Sequence, residues 1–376
     1  MQRIVLILFL LLSSYSVAAQ SIEELYKAGN HAALVKQLSH VSRLSGPELY
    51  MIGSAFFQLG QDDQAVIYLD KALAKGLTTG PVYLKKGLAL RYAKKYSEAL
   101  KAFDSAIEAE PQQLDYQVER AMVFYQAGQY DNAIRCFEQL KAMPNCPPEA
   151  LYMVPHLHHL QEHHELALSG FYEAITVLPP NHPNYLEALM DIGKLEYTFT
   201  HNFHKAATAY MQAVQQFPTE FLLYSKAIKA YNGAGQYSQA DSLFSVFQSF
   251  DQQHKLPEEF TKFRRVAVDE YSWNKRQLLI YRSLDDPKSP LDIGYKIYLL
   301  VSDGEKIERT FTVEQTLPIN DGATYLLCET IRASGGHRTY PYGWKADGLS
   351  IETIRKGVSL VLEGKIGASA SSTFGK

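Results

Sequence analysis

The sequence predicts a mainly α protein, a solenoid of stacked helix pairs followed by a small α+β domain with an antiparallel sheet and a C-terminal helix. Three observations carry this. Small, aromatic and proline residues recur at a fixed step of 34 positions over much of the chain, and a period of that length marks stacked helix pairs. The repeat fades after Phe250, and from Arg276 the apolar spacing shortens to that of strands. Helical spacing returns from Ser350 to Glu363.

Residues 1–19 carry Arg3, an apolar run from Ile4 to Leu12 and small residues ending at Val17-Ala18-Ala19. That is the layout of a secretory signal cleaved before Gln20. A membrane anchor would need about 20 apolar residues, more than this run supplies. No cysteine stands near the junction to carry a lipid. The expectation is an exported protein, periplasmic or secreted, with no membrane span.

The whole chain of 376 residues suggests two domains. Its net charge of −3 argues against nucleic acid, which would require a basic stripe. Twenty-five tyrosines and eighteen phenylalanines are many, and repeat packing is expected to use a large share. Three cysteines, Cys136, Cys146 and Cys328, are few for an exported chain, so disulfides do not hold it together. A Cys136–Cys146 bridge is conceivable, but disulfide geometry is demanding.

Within residues 20–250 the stretch from Pro81 to Pro111 shows the unit most clearly. Two amphipathic helical patterns meet at Lys94-Lys95-Tyr96, punctuated by Gly87, Ala99, Phe103, Ala106 and Pro111. One step earlier stand Gly53, Ala65, Leu69 and Ala72; one step later Ala121, Ala133, Phe137 and Leu140; then Pro155, Ala167, Phe171 and Ala174. About six pairs result, preceded by a partial pair from Ser21 to Ser39 that breaks at Gly29-Asn30. Turns fall at Gly60-Gln61, Lys94-Lys95, Gly128-Gln129, Glu162-His163, His201-Asn202 and Gly235-Gln236. Glycine at three of them supplies the left-handed backbone a helix end needs. The fifth pair is off register, because the linker from Pro179 to Asn184 is enlarged, and a bend in the stack is expected there.

This punctuation resembles the tetratricopeptide repeat family over residues 21–250. In that family's pattern small residues such as Gly87 and Ala99 sit where the helices of a pair meet, Phe103 fills the space between one pair and the next, and Pro111 ends the helix. The resemblance implies a protein-protein interaction scaffold whose first helices line a concave groove. It places Tyr50, Phe57, Leu88, Arg91, Tyr92, Met122, Tyr125, Tyr152, His156, His159, Lys194, Tyr197, Lys229 and Asn232 towards that groove. An aromatic surface with scattered cations suits an extended peptide or amphipathic helix of a protein partner in the cell envelope. Packing between helices is the other use for such rings. Chaperone-binding members carry a Lys/Asn/Arg carboxylate clamp; Tyr50, Ser54 and Leu88 stand at those positions here, so an acidic chaperone C-terminus is not the expected ligand.

Residues 251–275 read as a capping helix or linker, with Phe260, Phe263, Val266, Ala267 and Tyr271 on one side of a helix from Pro257 to Tyr271. Residues 276–367 read as the α+β domain. Its expected four strands are Gln277 to Tyr281, Tyr295 to Val301, Lys306 to Val313 and Thr324 to Thr330, with a hairpin at Ser302-Asp303-Gly304. Arg338 to Lys345 reads as an aromatic loop, either stacking on a ligand such as a sugar or plugging the end of the sheet. Residues 368–376 read as a flexible tail.

No catalytic signature is present: no H-E-x-x-H, G-x-S-x-G, phosphate-binding glycine loop or C-x-x-C. The expectation is therefore no enzyme activity and no cofactor. Five histidines crowd the fourth pair, and His156, His159 and His163 have a spacing that could hold Zn or Cu. A metal site needs ligands beyond one helix turn and partners that orient them, so no metal is expected. The alternative to a scaffold is a hydrolase or carbohydrate-binding protein whose C-terminal domain acts while the solenoid positions it. Asp285-Asp286 beside Pro287, the acid pair that reading needs, is more simply a turn.

Overall fold

In the computed structural model the described residues are 21–36, 41–262, 264–273, 276–285, 292–300, 307–315, 324–333, 336–345, 350–368 and 372–373. The leader at 1–19 and the turn at Ser302-Asp303-Gly304 lie outside them. The chain divides into two compact units, Met1–Gly170 and Phe171–Lys376.

The first unit is helical. Helices α1 (Ile22–Lys27) and α2 (His31–Leu34) form the partial pair. Then come α3 (Gly46–Gln58) with α4 (Asp62–Ala74), α5 (Gly80–Tyr92) with α6 (Tyr96–Ala109), α7 (Leu114–Gln126) with α8 (Tyr130–Lys141), and α9 (Pro148–Leu160) with the start of α10 (His164–Val177). Local chemistry fixes the starts. Ser21 with Glu24 and Ser45 with Glu48 form reciprocal capping boxes, and proline opens α3, α5 and α9 where a missing N–H costs nothing. The turns are left-handed whichever residue occupies them: φ is +68° at Gly60, +58° at Lys94, +72° at Gly128 and +63° at Glu162.

Packing explains the period. A Cβ added to Gly53 would lie 2.8 Å from Leu69, and one added to Gly87 would lie 2.8 Å from the Phe103 ring. Phe103 therefore also packs against the small residue of its own pair. It also belongs to a buried cluster with Leu90, Ala99, Ala102 and Val123, which carries the core on to the next pair. First helices α3, α5 and α7 touch in succession and so share one face.

The second unit continues with α11 (Pro183–Thr198), α12 (Phe203–Gln216), α13 (Leu222–Gly233), α14 (Tyr237–Gln252) and the short α15 (Glu258–Thr261). Left-handed His201 and Gly235 make its turns. The sheet follows, ordered β1-β2-β3-β4-β5-β6-β7 and antiparallel throughout. Its strands are β1 (Arg265–Trp273), β2 (Arg276–Ser283), β3 (Asp292–Leu300), β4 (Ile307–Gln315), β5 (Thr324–Ala333), β6 (Gly336–Lys345) and β7 (Ser372–Thr373). Leu278, Ile280, Ile297, Phe311, Val313 and Leu327 are buried along it. Helix α16 (Ile351–Leu362), capped by Ser350, meets both β6 and β1. Gly357 leaves room for the buried Trp344 indole, and Arg355 pairs with the fully buried Asp269.

Four expectations change here. The capping helix over Pro257 to Tyr271 is only α15, and β1 replaces the rest because its main chain finds partners in β2 and α13. The aromatic loop is strand β6, paired with β5 along ten residues. The sheet exceeds four strands, and Ser372–Thr373 of the expected loose tail pairs with Thr339 and Arg338 as β7. The Cys136–Cys146 bridge, which the sequence left open and no expectation required, is not made.

Candidate functional site

The first-helix face of the first unit gathers most of the residues expected to meet a partner. Tyr92 at the end of α5 is 57% exposed. Its ring lies 5.7 Å from that of Phe57 on α3, and the Arg91 guanidinium sits 5.4 Å from its centre. Arg91 is itself buried and held at 2.7 Å by Glu119 of α7. Burial pushes the Glu119 carboxyl above its ordinary pKa, against the opposing pull of Arg91. The Lys85 ammonium lies 5.0 Å from the Phe57 ring on the same face. Tyr50, at the α3 end, is half-buried, and burial raises its hydroxyl pKa.

Further along, the rings of Tyr125 on α7 and His156 on α9 stand 6.1 Å apart. Tyr152 stacks on His156 at 5.3 Å, with 3.3 Å between Oη and Nδ1. Met122 is half-buried in the apolar cluster beneath. His159 faces His164 with their Nδ1 atoms 3.2 Å apart, and His158 lies against His163. Burial, then the neighbouring His163, lowers the His158 pKa. Among the described residues no group of three His, Cys, Asp or Glu side chains is placed to hold a metal ion.

In the second unit the equivalent residues meet the sheet. Tyr197 Oη donates to the Glu270 carbonyl at 3.0 Å, Lys229 Nζ reaches Glu270 Oε2 at 2.8 Å, and Asn232 Nδ2 donates to the Val268 carbonyl at 2.7 Å. Lys194 is exposed and lines a recess of about 110 Å³ with Tyr197, Lys226 and Lys229. Ser225 was not singled out in the sequence; its hydroxyl donates to the Ala267 carbonyl at 2.7 Å. Its place four before Lys229 and seven before Asn232, on one face of a helix, was the available signal.

Family models of the tetratricopeptide repeat match residues 49–74 and 84–150. This is a tetratricopeptide repeat protein. Its helical part is a protein-interaction scaffold. No curated protein sequence matches the chain. Among solved structures, the tetratricopeptide repeat protein is similar to MamA, at 18% identity over 47% of this chain and 96% of that one, with a TM-score of 0.39. It is similar to the C-terminal part of a TPR repeat-containing protein from Cytophaga hutchinsonii, at 16% identity over 61% and 94%, TM-score 0.49. Yeast Tom70 gives 16% identity over 64% and 52%, TM-score 0.46. Among the described residues of the tetratricopeptide repeat protein, no helix is long and apolar enough to cross a membrane.

Proposed function

We propose that the chain is exported to the cell envelope and that the shared face of α3, α5, α7 and α9 holds a peptide or helix of a protein partner there. The exposed Tyr92 ring carries this reading. A large aromatic side chain more than half in water is costly to leave there, and this one is already held by Phe57 and by Arg91, which Glu119 pins. A ring ordered before binding gives contact area with little further loss of freedom. Tyr125, Tyr152 and His156 extend the same chemistry along the face and supply hydrogen-bonding edges. Such anchors dominate binding when a partner covers them and excludes water.

The test uses a partner captured from envelope extract, identified by mass spectrometry and titrated by calorimetry. Tyr92→Ala or Tyr125→Ala should each weaken binding by about 1–2 kcal/mol, with circular dichroism unchanged. Lys95→Ala, on an exposed turn where Lys95 pairs only with Asp63 among its described ion pairs, should leave affinity as it was. Equal affinities for all three folded variants would place the partner elsewhere.

A further inference from the structure

Strand β1 stands where a partner would stand on the first helices of the last two pairs. Ser225, Lys229 and Asn232 lie along one face of α13, and Tyr197 faces the same strand from α11. Three of these contacts are to main-chain carbonyls, those of Ala267, Val268 and Glu270, and so read an extended backbone rather than a sequence. The fourth, Lys229 to the Glu270 carboxylate, reads charge. The register slips between Ala267 and Asp269, a bulge, which turns consecutive carbonyls of β1 towards α13. Ser225 and Asn232 are 6% and 4% exposed, so each is committed to this strand. Lys194 and Lys226 line the recess beside Glu270 and add positive charge around that carboxylate, while Asp269 is engaged by Arg355 of α16.

We infer that the α11–α13 face is a receptor for an extended acidic strand and that β1 is its resident ligand in cis. A trans partner of this face is an extended segment that offers main-chain carbonyls to Ser225, Asn232 and Tyr197 and a carboxylate to Lys229. While β1 is seated, such a segment competes with it. Binding in trans is therefore weakened by the fraction of time the face is closed.

The probe is a fluorescein-labelled peptide of residues 265–273, RVAVDEYSW, added to the full chain and followed by anisotropy. Parent protein should bind it weakly. Glu270→Lys in the chain removes the cis ion pair and leaves the receptor helices unaltered, so the peptide should bind about tenfold tighter or more. Adding Asn232→Ala to that variant removes one buried hydrogen bond to the peptide and should cost about fivefold. If Glu270→Lys does not fold, the near-isosteric Glu270→Gln replaces it and should still raise affinity about threefold. No gain in a folded Glu270 variant, or a gain that survives Asn232→Ala because the peptide adds to the sheet instead, would overturn the inference. The Tyr92 and Tyr125 face is untouched by these changes, so this outcome and that of the partner titration are read separately.

Discussion

Adding one methyl group at Gly87 should set a helix propensity against a ring with nowhere to go. The new Cβ would lie 2.8 Å from Cε1 and Cζ of Phe103 and 3.0 Å from Cδ1. Carbon atoms in contact prefer about 3.5–4.0 Å, so the ring must retreat by most of an ångström. Phe103 is fully buried, among Leu90, Ala99, Ala102 and Val123. Overpacking of that kind costs about 1–3 kcal/mol, while alanine in a helix interior is favoured over glycine by about 1 kcal/mol. Gly87→Ala should therefore destabilise by about 1 kcal/mol as the balance of the two. In a Phe103→Ala background the ring is gone and only the propensity remains, so the same change should stabilise by about 1 kcal/mol. Urea unfolding of the four proteins by circular dichroism, with amide exchange in α5 and α6 as a local readout, measures the cycle. A Gly87→Ala effect that agrees to within about 0.5 kcal/mol in both backgrounds would refute the packing argument.

Lys94 holds a left-handed φ of +58°, which costs an L side chain about 1–2 kcal/mol. Lys94→Gly removes that strain at the expense of about 0.4–1 kcal/mol of unfolded-chain entropy, so a small rise in melting temperature is expected, and a fall would contradict the turn assignment. The Tyr116 hydroxyl, buried and donating to Glu110, has its pKa pushed up to about 12 from the ordinary 10.0. The folded state then keeps a proton the unfolded chain has lost, so this contribution to stability falls as pH rises between those two values, and Tyr116→Phe should flatten that part of the alkaline limb. Export is checked by N-terminal sequencing of the mature protein, which should begin at or near Gln20; an intact Met1 would dispose of it.

The helix pairs were legible because each carries its own signals within a few residues. Gly87 and Phe103 in one pair, and Ala121 and Phe137 in the next, repeat one packing solution, and the turns sit between them. Strand β1 was not legible. Phe260, Val266, Ala267 and Tyr271 fit a helix stripe, and what makes the segment a strand is distant: Leu278 and Ile280 in the neighbouring strand, and the donors Ser225 and Asn232 more than thirty positions earlier. For β6, Gly336, Pro341 and Gly343 read as loop formers, yet pairing with β5 holds them extended. The partner face was legible only as a set of positions. That Arg91 would be buried under Tyr92 and clasped by Glu119, and that Lys229 would be engaged by Glu270, depends on contacts no local pattern encodes.

The bulged strand β1 has a further consequence, for solubility. As the first strand in the sheet order it has, among the described residues, a strand neighbour on one side only, and a bare strand edge is a template on which other chains can grow. Here the side chains of Ser225, Asn232 and Tyr197 take up three of its carbonyls. At the opposite side of the sheet, β7 pairs with Arg338 and Thr339, and Pro341 and Lys345 lie in the remainder of β6. A proline lacks the N–H that a ladder needs, and a lysine charge resists stacking. The chain is thereby protected from fibre growth by different chemistry at its two strand edges, and loss of Ser225 together with Asn232 would convert a contact within one molecule into a seed for many.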